Sequence, residues 1–168
     1  LEVISHTEGL SPTLPLPIPD EENPSFFDCW EGFTTQYSDE KFSYSQGTQV
    51  FEVTPSEVQY ELQNEPRVLF IHFLRYRWNP ATHQIEKMER PVDIPEEIEI
   101  GDSTYEVGGW INHHGDTPYV GHYTCHVKDQ DQWFSCDDET VLSKGSFESV
   151  QASLNQSYIV MLWRKDVM

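Results

Sequence analysis

Residues 68–76, VLFIHFLRY, form a run of apolar and aromatic side chains of the kind that fills a buried central strand. The strand pattern begins before it, where Gln49–Val53 alternates, and it continues after it. Glu106–His113, Tyr119–Val127 and Gln132–Cys136 read as strands with short connections, and Ser157–Trp163 (SYIVMLW) reads as a closing core strand. Glu96, Glu97 and Glu99 alternate with Ile98 and Ile100, as along an exposed strand edge. Helical signals are few. Ser25 is placed to cap a helix over residues 26–36, with Phe26, Trp30 and Phe33 at helical spacing. Ser146 could cap a short helix carrying Phe147, Val150 and Leu154. Many strands and few short helices predict an α+β domain around an antiparallel sheet.

Residues 1–24 stand apart, because SPTLPLPIPDEENP at 11–24 packs five of the eleven prolines into fourteen residues. An extended arm is expected there, either a linker or a strap along a neighbour, with the folded domain over residues 25–168. The chain opens on Leu1, which is taken as a sign of a fragment or a processed piece. Neither a membrane-length apolar run nor a signal peptide is expected from the sequence. Three cysteines, Cys29, Cys125 and Cys136, make no spaced pairs, a count that suits reduced thiols in an intracellular protein. The net charge of −19 disfavours nucleic acid and anionic membrane surfaces as partners. It suits either a solubilising face or attraction to a basic partner.

The chemistry concentrates in VGHYTCHVKDQDQWFSCDD, residues 120–138. On a strand, His122, Thr124 and His126 share one face and Cys125 points the other way. A hairpin turning at 128–131 would bring Asp137 back beside His122. There a carboxylate would accept the Nδ1 proton, fix the tautomer and stabilise the imidazolium. Gly121 would let the backbone turn tightly beside the ring. His113, His114, His122, Cys125, His126 and Cys136 are all possible zinc ligands. They sit on strands rather than in the tight pairs that zinc sites use, so no metal and no cofactor is expected.

Several blocks in order resemble the ubiquitin-specific proteases, which are papain-like cysteine peptidases. They are residues 65–76 ending in Arg75-Tyr76, Glu86-Lys87 followed by Val92-Asp93-Ile94-Pro95, and Trp110-Ile111-Asn112-His113-His114-Gly115. Gly121-His122-Tyr123, Trp133-Phe134-Ser135-Cys136-Asp137-Asp138 and the closing strand 157–163 complete the set. The resemblance covers about residues 60 to 165 and implies the antiparallel palm of a papain-like protease. It implies His122 as general base, Asp137 as the residue that orients it, and Asp138 as a neighbouring acid that assists water or oxyanion contacts. Gly121, Tyr123 and Trp110 would line the channel for the ubiquitin tail. Residues 79–89 and 115–120 would be the loops that gate it.

The resemblance also implies what is missing. The family's nucleophile opens a helix in an Asn-Thr-Cys-Tyr block, and this chain has no such block and no paired zinc cysteines. The implied activity is deubiquitination, the hydrolysis of the bond after ubiquitin's C-terminal glycine. This chain would supply the histidine and the aspartate, and a Cys-bearing N-terminal half of the domain would be its partner along with ubiquitin. The chain alone is expected to be inactive. The implied setting is intracellular, cytoplasmic or nuclear. The alternatives are a non-catalytic ubiquitin-binding pseudo-enzyme or scaffold, and an unrelated acidic β-rich interaction domain.

Overall fold

In a computed structural model that describes residues 11–38, 42–53 and 56–165, an antiparallel sheet dominates the chain. In chain order the elements are β1 (Leu14–Leu16), α1 (Phe26–Thr34), β2 (Thr35–Ser38), β3 (Phe42–Gln46), β4 (Gln49–Val53) and β5 (Ser56–Gln59). There follow β6 (Val68–Phe73), β7 (Tyr76–Asn79), β8 (Gln84–Lys87), β9 (Glu97–Ile100), β10 (Ser103–Thr117) and β11 (Val120–Asp129). The last are β12 (Gln132–Asp137), β13 (Thr140–Gly145) and β14 (Ile159–Arg164). The main sheet runs β1-β6-β14-β10-β11-β12-β13, with β9 also paired to β10. Only β1 joins it in parallel, on β6. The pairs β2/β5, β3/β4 and β7/β8 form three small separate hairpin-like ladders.

The expected α+β class therefore holds, with one α-helix and two short 3-10 turns against fourteen strands among the described residues. The helix begins where Ser25 predicts. Its hydroxyl accepts from Asp28 N, and the Asp28 carboxylate accepts from Ser25 N at 2.7 Å, a reciprocal capping box. Phe26 and Cys29 face inward, and Phe26 meets Phe73 edge-on at 6.5 Å. The second expected helix is instead a pair of 3-10 turns, Phe147–Ser149 and Gln151–Gln156. Ser146 makes no side-chain cap, and Val150, at φ −120°, breaks the run between them.

Residues 11–24, expected as an arm, give the sheet an edge strand and bury Leu16 and Ile18 in its core. Prolines are tolerated on an edge strand because only one side of the strand is paired. Residues 1–10 of that arm lie outside the described residues.

The run at 68–76 is divided rather than continuous. β6 stops at Phe73, Leu74 N donates to Leu16 O, and Arg75 turns into the interior. Arg75 is 1% exposed and meets no carboxylate among the described residues. Its guanidinium donates to the carbonyls of Ser157, Met88, Arg90 and Asn155, which ties two segments, 88–90 and 155–157, to the end of β6. Burial pulls its pKa down to about 10.

β10 carries a bulge between Val107 and Gly109 against β14. A Cβ on Gly108 would sit 2.8 Å from the Trp163 ring, so only glycine fits there. The extra residue changes the alternation. Tyr105 and Val107 face the core before it, and Trp110 and Asn112 do so after it. The core itself joins Ile71, Val107, Trp110, Val160 and Leu162 of the sheet to Phe26, Val92 and Leu154 above it.

Candidate active site

The site lies where β10, β11 and β12 run side by side. β10 and β11 are joined by a two-residue turn at Pro118–Tyr119, and β11 and β12 by a turn at Gln130–Asp131. The registers set His114 opposite His122, Trp110 opposite His126, and Cys125 opposite Cys136. One step further along the β11/β12 ladder, Asp137 falls diagonal to His122 on the same face, within reach of a side chain.

The contact is made. His122 Nε2 and Asp137 Oδ1 are 2.5 Å apart. The hydrogen bond to Asp137 raises the His122 pKa above its ordinary value, and the charges of Asp137 and Asp138 add to the effect. One expectation is corrected here. The carboxylate holds Nε2 rather than Nδ1, so Nδ1 is the nitrogen left to face a reacting group. Asp138 adopts φ +49°, in the left-handed region, within the turn from β12 to β13. This keeps its carboxylate next to the pair.

His122, Asp137 and Asp138 bring one ligand atom each within 4.8 Å of one another, and all three are exposed. They form the one such trio among the described residues, so a borderline or hard cation could sit there in place of the shared proton. The remaining histidines and the cysteines do not join it.

An open groove of about 510 Å³ runs along this face, past His114, Thr124, His126, Ser135 and Leu142. Its polar groups are paired. His114 Nε2 lies 2.8 Å from Thr124 Oγ1, and Ser135 Oγ lies 2.8 Å from His126 Nδ1. The His114 ring lies near parallel to His122, with centroids 6.4 Å apart. The sequence marks His114 only as a possible zinc ligand, and the register across the β10/β11 hairpin sets it beside His122.

The residues expected to line a tail channel separate into two groups. Tyr123 is half exposed on the reverse face, against His113 at 4.6 Å. His113 is buried, and its Nδ1 lies 2.6 Å from the Tyr76 hydroxyl. Gly121 serves this cluster differently from the expectation. A Cβ there would meet His113 Nε2 at 2.1 Å, so the glycine makes room for an imidazole rather than for a tight turn.

Trp110 does not join them. It is 2% exposed, packs on Trp133 at 5.1 Å and on Phe147, and donates its indole N–H to Ser153 Oγ. That placement corrects its expected role, because a large ring with its one donor satisfied is core.

The two segments expected as gating loops are hairpin tips. Lys87 on β8 donates to the carbonyls of His113 and Gly115 at 2.9 Å each and so fastens one tip to the other.

None of the three cysteines faces His122 Nδ1. Cys29 is fully buried, and burial pushes its pKa up to about 12. Cys125 and Cys136 alternate to the reverse face of the hairpin.

Comparison with known proteins follows the same outline. Residues 20–161 match the family model described as ubiquitin carboxyl-terminal hydrolase. Ubiquitin hydrolase B of Dictyostelium discoideum is 27% identical over 106 residues, spanning 58% of this chain and 23% of that protein. Ubiquitin carboxyl-terminal hydrolase 51 of Mus musculus is 40% identical over 67 residues, 39% of this chain and 10% of that protein. The chain thus spans less than a quarter of the length of these relatives. Among solved structures, that of the SAGA Ubp8/Sgf11/Sus1/Sgf73 DUB module bound to ubiquitin aldehyde matches with a TM-score of 0.73. The match covers 93% of this chain and 36% of that one at 20% identity, a likeness of fold.

Proposed function

The chain belongs to the ubiquitin carboxyl-terminal hydrolase family, and on that premise we propose that it carries the base side of a deubiquitinase active site. In this reading His122 is the general base and Asp137 orients it. The reaction is thiol-dependent hydrolysis of the isopeptide or peptide bond after ubiquitin's C-terminal glycine. The observation that carries the reading is the contact of His122 Nε2 with Asp137 across the β11/β12 hairpin.

The chemistry follows from that geometry. Asp137 holds the proton of the neutral imidazole on Nε2, which leaves the Nδ1 lone pair for a thiol. When Nδ1 takes the thiol proton, Asp137 stabilises the imidazolium, and the thiolate attacks the carbonyl of the terminal glycine. The imidazolium then protonates the leaving amine. Neutral again, His122 takes a proton from the water that hydrolyses the thioester. Asp138 sits where it would help to orient that water. Gly121 and Tyr123 border the approach of the tail, and the acidic surface suits a substrate tail that carries arginines.

The thiol comes from outside this chain in this reading, from the Cys-bearing half of the domain. Ubiquitin and that half are the partners, and the setting is the cytoplasm or the nucleus. The test is turnover of a fluorogenic amide of the ubiquitin tail, by the chain alone and with a Cys-bearing half added in trans. No turnover alone, turnover with the added half, and its loss in His122→Ala together support the reading. Turnover by the chain alone, or turnover that survives His122→Ala, overturns it. The second outcome would favour a ubiquitin-binding scaffold.

A further inference from the structure

Behind the base, the same hairpin carries two thiols. Cys125 on β11 and Cys136 on β12 are register partners in the antiparallel ladder, with their side chains on the face opposite to His122 and Asp137. Directly opposed residues of an antiparallel pair have Cα atoms about 4.5 to 5.5 Å apart. That falls inside the window of about 4.4–6.8 Å that a disulfide spans. Both residues are free and partly exposed.

We propose that Cys125 and Cys136 form a reversible cross-strand disulfide, a redox modification site on the back of the hairpin that carries His122 and Asp137. Its co-reactant is a small-molecule disulfide of the glutathione class. One protein thiolate attacks a sulfur of glutathione disulfide and expels a glutathione thiolate. The facing thiolate then attacks the protein sulfur of the mixed disulfide and expels the second. The protein dithiol loses two electrons and two protons, and glutathione disulfide becomes two glutathione thiols.

Three features support this pairing. The partner is already in register, at the Cα spacing that a disulfide spans. Cys29, the third thiol, is fully buried and takes no part. Burial and the neighbouring sulfur both raise the Cys125 pKa, so Cys125 stays mostly a thiol near neutral pH until an oxidant engages its partner. The bond would staple β11 to β12 at the rung nearest the base and its carboxylate. The inference rests on the ladder register and the exposure of the two thiols, and it does not depend on the proposed function.

The experiment equilibrates the whole chain in graded mixtures of reduced and oxidised glutathione, blocks free thiols by alkylation, and maps the peptides by mass. The expected result is one intrachain link between the peptides of residues 125 and 136, two hydrogens lighter and lost in excess reduced glutathione. Cys29 should be alkylated only after unfolding. Cys136→Ser should leave Cys125 with a bound glutathione that nothing resolves. Two glutathiones held side by side on the wild-type chain would overturn the proposal. Links between separate chains would do the same, as would thiols at 125 and 136 that stay reduced in the most oxidising mixture.

Discussion

Arg75 and His122 are both basic groups held by hydrogen bonds, and they are held in opposite ways. Arg75 is buried at the end of β6, and four backbone carbonyls from two segments share its charge. His122 stands at the surface with one short contact to Asp137. A guanidinium keeps its proton at any working pH, so it can serve as a permanent cross-brace. An imidazole near its own pKa can give and take a proton, but only if water or a reactant can reach it. The fold therefore puts its fixed charge where loss would be costly and its titrating group where loss would cost little structure.

The largest test of that contrast is Arg75→Met. It strands several buried carbonyls, and a loss of about 3–5 kcal/mol is expected by chemical denaturation. A loss below ~1 kcal/mol would break the comparison at its buried end. Gly121→Ala comes next. The added methyl meets the His113 ring, and overpacking of this kind costs about 1–3 kcal/mol, read in the same denaturation assay. Ser25→Ala removes the helix cap and should cost about 1 kcal/mol.

His122→Ala should leave stability close to unchanged while abolishing turnover in the complemented enzyme. A marked drop in denaturation midpoint would show the surface pair to be a brace as well. The smallest effect sharpens the comparison by pH. His122 has its pKa raised by Asp137, so the pair adds stability fully below the unfolded value of about 6.5. That stability is lost as pH rises through the folded pKa. His126 and His72 run the other way, since burial lowers their pKa values. Their share is present above the unfolded value and lost as pH falls through the folded one. Asp137→Asn should lower the His122 midpoint followed by imidazole proton shifts, and leave the His126 midpoint in place. An unmoved His122 midpoint would mean that the contact carries no charge coupling.

Much of this was legible in the sequence, for identifiable reasons. Ser25 ahead of Phe26, Trp30 and Phe33 at helical spacing marks the start of α1, and alternation across a turn at 128–131 puts His122 and Asp137 on one face. Other features left no such mark. β13 is exposed along its whole length, so its sequence carries no buried–exposed alternation. β1 is hidden among prolines that edge pairing happens to allow. The Gly108 bulge switches the facing of β10 midway, which a strict period of two does not anticipate. Trp110 was assigned to the channel by resemblance, and the neighbours that bury it, Trp133, Phe147 and Ser153, come from segments distant in sequence. Which imidazole nitrogen meets Asp137 depends on ring orientation, to which sequence spacing is blind.

The strand order also governs how the chain can assemble over time. β14 is made after every other strand named here, yet it lies between β6 and β10. Until it arrives, β1 and β6 have no link through the ladder to the sheet running from β10 to β13. Its pairing with β6 closes a loop from Phe73 to Ile159, and contacts so far apart along the chain form slowly. During synthesis the nascent chain must hold two incomplete sheets with open edges until residues 159–164 leave the ribosome. A pause just before that point exposes the protein to misassembly more than a pause anywhere earlier in the main sheet.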